Sequence, residues 1–136
     1  MNKVTFFLLV VFCVTSCRKS SRDCSATMNN AAGSYKITKV LYSANQGLNE
    51  SDITATYDAC KLDDIYVLNS NGVLELNDAG TPCIPSQTGS WSLVGNSMTL
   101  GGNMGFMSNF NCSGFVFTTN SPLNPAETWT FHYTRQ

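Results

Sequence analysis

Apolar and polar residues alternate with a period of two in several short segments of this chain. The clearest is residues 128–134, where Trp129, Phe131 and Tyr133 fall on one face and threonines and His132 fall on the other. This period is that of a β-strand with one buried face, so the pattern predicts a strand. Runs rich in β-branched and aromatic residues predict further strands at residues 34–42, 64–68, 73–76, 89–94, 98–100 and 115–118.

Turn-forming residues lie between several of these runs. The segment 69–72, Asn-Ser-Asn-Gly, separates residues 64–68 from residues 73–76, and the segment 95–97, Gly-Asn-Ser, separates the next two runs. Asn and Gly readily adopt the positive φ angles of tight turns, so each pair of runs is predicted to form a β-hairpin. The glycine- and methionine-rich residues 101–107 lack this pattern, and we expect a flexible or irregular edge there.

Short strands joined by hairpin turns predict an all-β domain, either a small antiparallel barrel or a sandwich. One short helix is predicted over residues 49–58, with Asn49 or Ser51 as its N-cap. The inward-facing apolar positions give the predicted core: Tyr35, Ile37, Leu68, Leu74, Leu76, Trp91, Leu93, Leu100, Phe115, Phe117, Trp129 and Phe131.

Residues 1–16 show the order of features found in a signal peptide. Lys3 provides a positive start, residues 4–14 are an apolar run, and small residues end the segment. The run is shorter than the roughly 20 residues that cross a bilayer as a helix. We therefore expect the chain to be exported and residues 1–16 to be removed.

Cys17 is the predicted site of a lipid anchor. The segment 14–17, Val-Thr-Ser-Cys, resembles a bacterial lipobox, in which the thiol is diacylated and becomes the first residue of the mature protein. Removal of Cys13 and lipidation of Cys17 would leave four cysteines, an even number in an oxidising compartment. The alternative is a secreted protein in which Cys17 is a disulfide partner. We predict a lipid-anchored tether over residues 17–32 and a folded domain over residues 33–136.

The chain from Cys24 onward is acidic and sparsely charged. Four basic residues stand against eight acidic ones, a net charge of −4. Binding of nucleic acid needs clustered Lys and Arg, so this composition argues against it. Arg18, Lys19 and Arg22 lie beside the predicted anchor and are expected to contact phospholipid headgroups. With Arg18 after the anchor and no acidic run after Ser21, we expect the outer membrane, with the domain facing the periplasm.

The four remaining cysteines are predicted to form two disulfides. Their separations of 36, 23 and 29 residues do not match the paired spacing of zinc sites. Cys60 precedes the first strand of the hairpin at residues 64–76 and Cys83 follows the second, so the turn brings both to one end of the sheet. This predicts Cys60–Cys83, and elimination leaves Cys24–Cys112.

A resemblance to a known family rests on several segments taken in order. Its most specific parts are Cys60-Lys61-Leu62-Asp63-Asp64 and Thr88-Gly89-Ser90-Trp91-Ser92-Leu93, between which lie residues 69–72 and Cys83, with residues 33–37 ahead of them all. Together these segments resemble the lipocalin-like lipoproteins of Bacteroidota, over roughly residues 31–134. The resemblance implies a lipocalin-like, eight-stranded up-and-down barrel, a lipid anchor and the same Cys60–Cys83 pair. It implies no reaction.

Few residues offer catalytic or metal-binding chemistry. His132 is the only histidine and has no partner apparent in the sequence, so we expect a structural role and no enzymatic activity. Asp63 and Asp64 are adjacent on a predicted strand and should point to opposite faces. We expect one of them to accept backbone N–H groups beside the Cys60 bridge, and we predict no metal and no cofactor.

Two functions are compatible with these sequence features. In the first, Trp91, Trp129, Phe115 and Phe131 line a cavity for one small apolar or amphipathic ligand, since eight strands leave room for that. In the second, the same aromatic residues fill the barrel, and the chain is a structural or protein-interaction lipoprotein. The sequence leaves both open, along with the oligomeric state.

Overall fold

The computed structural model describes residues 24–136, which are mostly β-strand. Two short α-helices and one 3-10 helix, Thr54–Thr56, accompany the strands, and no helix in the described part of the chain has the length and hydropathy needed to cross a membrane. The elements are α1 (Met28–Ala31), β1 (Gly33–Ser43), β2 (Ser51–Asp52), α2 (Ala59–Leu62), β3 (Ile65–Leu68), β4 (Val73–Asn77), β5 (Gln87–Val94), β6 (Ser97–Leu100), β7 (Asn103–Ser108), β8 (Gly114–Asn120) and β9 (Thr128–Arg135).

The strands form a closed antiparallel barrel. Strands β3 to β8 each pair with the next strand along the chain, β1 pairs with β3, and β9 returns to pair with β1 along its whole length. These eight strands close the barrel, and the two-residue β2 adds to the outer edge of β1. The predicted all-β, up-and-down barrel with a short helix is confirmed, and both predicted hairpins form β3–β4 and β5–β6.

Two local predictions are wrong. Residues 49–58 do not form one helix: they contain β2 and the 3-10 helix, and α2 begins only at Ala59. Residues 101–107 are not an irregular edge, because Gly101 and Gly102 make a tight turn into β7, a regular strand between β6 and β8. Both glycines have positive φ angles, 57° and 86°, which suit this turn.

The core confirms ten of the predicted residues as buried. Trp129 and Phe131 are only partly buried. Val40 was missed because a bulge between Ile37 and Lys39 shifts the alternation of β1, so that Val40 rather than Lys39 turns inward. The other buried apolar residues absent from the prediction are Ala31, Met98, Met107 and Tyr133.

The threonine face of β9 is buried near the start of the strand, where the sequence predicts burial of the aromatic face alone. Thr128 and Thr130 are only 5% and 6% exposed. The segment after β1 folds over this outer face: Thr130 Oγ1 donates to Glu50 Oε1 at 2.7 Å, and Ser43 Oγ donates to the carbonyl of Leu48 at 2.6 Å. A period-two pattern shows which face is apolar but not whether a loop covers the polar one.

One end of the barrel is closed by α1. The hydroxyl of Tyr35 donates to the carbonyl of Ala31 at 2.8 Å. Arg135 donates from Nη2 to the carbonyls of Asn30 and Ala32 and to the Tyr35 hydroxyl, at 2.7, 3.0 and 2.7 Å. These bonds satisfy carbonyls at the helix end and fix the helix over the strands. This closed end also holds the buried Trp91, whose Nε1 donates to the carbonyl of Asn69 at 2.8 Å.

Both predicted disulfides are confirmed, one at each end of the barrel. Cys24–Cys112 joins the segment before α1 to the β7–β8 loop, with a Cα–Cα distance of 5.4 Å. Cys60–Cys83 joins α2 to the β4–β5 loop at the opposite end, with a Cα–Cα distance of 5.6 Å. The signal peptide 1–16, Cys17 and the rest of the predicted tether up to residue 23 lie outside the described residues.

Candidate functional site

A cavity of about 470 Å³ opens at the end of the barrel opposite α1. Its apolar wall comes from β1, β3, β4, β6, β8 and β9, and its rim comes from the start of β5 and the β6–β7 turn. The lining residues are Ile37, Tyr57, Tyr66, Leu74, Leu76, Gln87, Thr88, Gly89, Ser90, Leu100, Gly101, Gly102, Asn103, Phe117, Thr119, Phe131 and Tyr133.

Tyr133 lies at the boundary between this cavity and the filled half of the barrel. Its ring stacks on Phe115, with centroids 4.8 Å apart and planes at 18°. Phe115 in turn contacts Tyr35 edge-on at 4.9 Å. This aromatic stack fills the closed end, so the cavity ends at the exposed side of the Tyr133 ring.

Three tyrosines line the cavity: Tyr57, Tyr66 and Tyr133. The ring of Tyr66 contacts Tyr133 edge-on at a centroid distance of 5.3 Å. Tyr57, from the segment inserted between β1 and β3, contacts Phe131 at 6.1 Å. None of the three hydroxyls makes a hydrogen bond within residues 24–136, although other tyrosine and tryptophan groups of the barrel do.

Burial extends the neutral form of these tyrosines to higher pH. Removal from water raises the pKa of each phenol above its ordinary value, most strongly for Tyr66 and Tyr133. The pKa of Tyr133 is raised further by Tyr66 and Tyr57, because each phenolate would disfavour another nearby. The hydroxyls therefore remain protonated donors at neutral pH.

The cavity lining contains no Asp, Glu, Lys, Arg or His. One reason lies in the sequence, because residues 79–126 contain none of these five residue types and include all of β5 to β8. The charged residues of the neighbouring strands point elsewhere: Glu75 on β4, for example, accepts a hydrogen bond from Asn69 at 2.9 Å. Polar groups at the rim are amides and hydroxyls, from Gln87, Thr88 and Asn103 among others.

A second, more open groove lies beside the cavity and shares Tyr57 and Phe131 with it. Its other lining residues include Trp129, Asp58 and Lys61. Lys61 forms an ion pair with Asp58, and its ammonium lies 5.8 Å from the centre of the Tyr57 ring. The ion pair makes this groove polar but leaves it without net charge from these two residues.

The four aromatic residues predicted to line a ligand site separate into two groups. Phe131 lines the cavity, and Trp129 lies in the adjoining groove, stacked on Phe131 at 6.3 Å. Trp91 and Phe115 lie in the closed half, where they are 2% and 3% exposed. The structure thus brings Trp129 and Phe131 to the mouth and leaves Trp91 and Phe115 away from the cavity.

Tyr57, Tyr66 and Tyr133 are not among the site residues predicted from the sequence. Tyr66 and Tyr133 lie on predicted strands, and their period would have placed them inside, but their depth along the barrel depends on strand register. Tyr57 belongs to a segment predicted as helix, whose actual course between β1 and β3 has no periodic signal. The sequence did hold one indication of these residues, namely several tyrosines at positions predicted to face inward. A buried tyrosine normally needs a hydrogen-bond partner, so tyrosines at such positions are candidate site residues.

His132 lies on the outer side of β9, over a shallow pocket near the closed end. The pocket is lined by polar groups such as Thr38, Asn109 and Ser113 and by no carboxylate or cysteine. The His132 backbone carbonyl accepts a bond from Thr38 at 3.3 Å. The absence of enzymatic activity stays a prediction.

Asp63 and Asp64 both accept backbone N–H groups beside the Cys60–Cys83 bridge, as predicted for one of them. Asp63 Oδ2 accepts from Thr81 at 2.8 Å, and Asp64 Oδ1 accepts from Ala79 at 3.2 Å. Burial raises the pKa of Asp64, the bond from Ala79 opposes this, and the charges of Asp78 and Asp63 raise it further. Within residues 24–136, no three His, Cys, Asp or Glu residues are placed to hold a metal ion.

Comparison of the chain with protein families, with curated proteins and with solved structures finds no match.

Proposed function

We propose that this chain is a lipid-anchored lipoprotein of the bacterial outer membrane that holds one small apolar or amphipathic molecule in its barrel. The observation that carries the proposal is the open cavity of about 470 Å³. Pockets for small molecules in proteins usually measure about 300 to 1,000 Å³ and combine apolar walls with a few polar groups. The alternative of a structural barrel without a ligand predicts side chains filling this volume.

The position of Cys24 supports a mouth that faces away from the membrane. Its disulfide to Cys112 fixes the start of the domain at the closed end, opposite the cavity. Cys17 precedes Cys24 by seven residues, a stretch that extends at most about 25 Å. An acyl anchor on Cys17 would hold the closed end near the bilayer and leave the mouth open to the aqueous compartment.

Cys17→Ala is expected to move the protein from the membrane fraction to the soluble fraction, because the variant lacks the thiol that carries the acyl chains. Fractionation of cells followed by a high-salt wash and immunoblotting measures this. A matched variant, Cys13→Ala, changes a cysteine inside the predicted signal peptide and should leave the protein in membranes. Retention of Cys17→Ala in washed membranes would contradict the anchor.

Gly89→Phe is expected to abolish uptake of a small apolar molecule. Gly89 lines the cavity on the same face as its pairing partner Leu74, and the nearest atom to an added Cβ, Leu74 Cδ2, is 3.8 Å away. An aromatic ring there would occupy the mouth. The measurement is fluorescence of the hydrocarbon probe diphenylhexatriene, together with native mass spectrometry of protein purified from its own envelope.

Ser92→Phe is the matched control, since Ser92 is exposed on the same strand and outside the cavity. The original chain and Ser92→Phe should both bind the probe and carry a retained small molecule, and Gly89→Phe should do neither. Absence of a retained molecule and of probe binding in the original chain would favour the structural alternative.

A further inference from the structure

We propose that the cavity selects an uncharged molecule that carries a hydrogen-bond acceptor, such as a ketone, ester or ether oxygen, on the part that reaches Tyr66 and Tyr133. This inference rests on the proposed ligand-binding function and names the chemical class of the ligand. It follows from two independent properties of the lining: the hydroxyls without partners and the absence of charge.

The hydroxyls of Tyr66 and Tyr133 indicate that the ligand carries a hydrogen-bond acceptor. Tyr133 is 6% exposed, and its hydroxyl and that of Tyr66 have no hydrogen-bond partner within residues 24–136. Neither hydroxyl is cut off from solvent in the open cavity, so a molecule that fills the cavity and displaces water must supply the hydrogen-bond partner that water provides. A protonated phenol donates its hydrogen more readily than its oxygen accepts one, and the complementary ligand group is an acceptor.

Because the cavity lining is uncharged, it disfavours ionised groups on a bound ligand. An ion loses its hydration on entering a buried site and regains that energy only beside an opposite charge. The cavity lining provides none. Lys61, a cation in the adjoining groove, is already paired with Asp58.

The rim extends this recognition. Gln87, Thr88 and Asn103 offer amide and hydroxyl groups at the open end. These groups both donate and accept, so they suit hydroxyl or amide substituents on the outer end of the ligand. An uncharged amphipathic molecule would thus have its acceptor at Tyr66 and Tyr133, its apolar body between Leu74 and Phe117, and its more polar end at the rim.

A ligand series of constant carbon number tests the inference on the full mature chain. The compounds 2-nonanone, nonane, nonanoate and nonylammonium compete with diphenylhexatriene at pH 7. We expect 2-nonanone to bind several-fold more tightly than nonane, which has no acceptor, and at least tenfold more tightly than either ion. Nonanoate or nonylammonium binding as tightly as 2-nonanone would overturn the inference while leaving the cavity function intact.

Tyrosine variants separate a hydrogen bond from general apolar binding. Tyr66→Phe and Tyr133→Phe should each reduce the preference for 2-nonanone over nonane several-fold and leave binding of the hydrocarbon probe unchanged. Tyr42→Phe is the control, because Tyr42 does not line the cavity. An unchanged preference in both cavity variants, or a preference for nonanoate that Lys61→Met removes, would contradict the proposed ligand class. Failure of the original chain to bind the probe would instead contradict the proposed function.

Discussion

Removing the disulfide Cys24–Cys112 by the double change Cys24→Ser and Cys112→Ser is expected to lower the free energy of unfolding by about 4 to 5 kcal/mol. The two cysteines are 88 residues apart, so the bond closes a loop that contains β1 to β7. On the chain-entropy model, loss of so long a loop greatly increases the freedom of the unfolded chain. Denaturation in urea under non-reducing conditions measures the difference.

The second disulfide provides an internal comparison. Cys60 and Cys83 are only 23 residues apart, so the corresponding double serine variant should lose about 3 kcal/mol. The test is which variant loses more free energy of unfolding, since both variants remove one disulfide and add two hydroxyls. A larger loss for the Cys60 and Cys83 variant would show that loop length does not govern the contribution of these bonds.

Gly105→Ala is expected to destabilise the barrel by about 3 kcal/mol or more, since overpacking at a site that cannot relax is costly. Gly105 lies on β7 between Met98 on β6 and Thr119 on β8. A Cβ on this residue would overlap the backbone carbonyl oxygen of Thr118 and lie 2.8 Å from the Phe117 ring. Because the obstacle is backbone in a paired strand, the strands themselves would have to separate.

Gly89→Ala is the matched control for this change. Gly89 is also a strand glycine, but the nearest atoms to its added Cβ are Leu74 Cδ2 at 3.8 Å and Gly101 Cα at 4.0 Å. Gly89→Ala should change the free energy of unfolding by no more than about 0.5 kcal/mol, as for ordinary surface substitutions. Thermal unfolding of Gly105→Ala and Gly89→Ala measures both changes in stability. Equal losses of stability would show that the cost comes from replacing any strand glycine.

Local signals in the sequence were sufficient for much of the fold. Alternation and the Asn and Gly residues of the turns identified the hairpins β3–β4 and β5–β6, and the geometry of the first hairpin located Cys60–Cys83. They failed for β7, which contains Asn103 and Gly105, two residue types of low β propensity, and whose strand character comes from pairing with β6 and β8. The bulge in β1 was equally invisible, because it depends on where β9 pairs.

The candidate site was less predictable than the fold. Period two indicates that Phe131 and Phe115 both face inward, but it does not show that one lies at the mouth and the other in the closed half. That difference follows from register and from the position of α1 at one end. Tyr57 reaches the cavity from a segment without periodicity, so its role depended on the tertiary structure.

The attachment of Cys24 to the β7–β8 loop also determines how the barrel would bear mechanical load. A pull on the N-terminal segment reaches Cys24 first and divides there between α1, which leads into β1, and Cys112, which precedes β8. Without the bond, all of the tension would act on β1, the strand whose pairing with β9 closes the barrel. With it, part of the force passes to the loop between β7 and β8, each of which pairs with a strand on both sides, so the load on β1 is reduced.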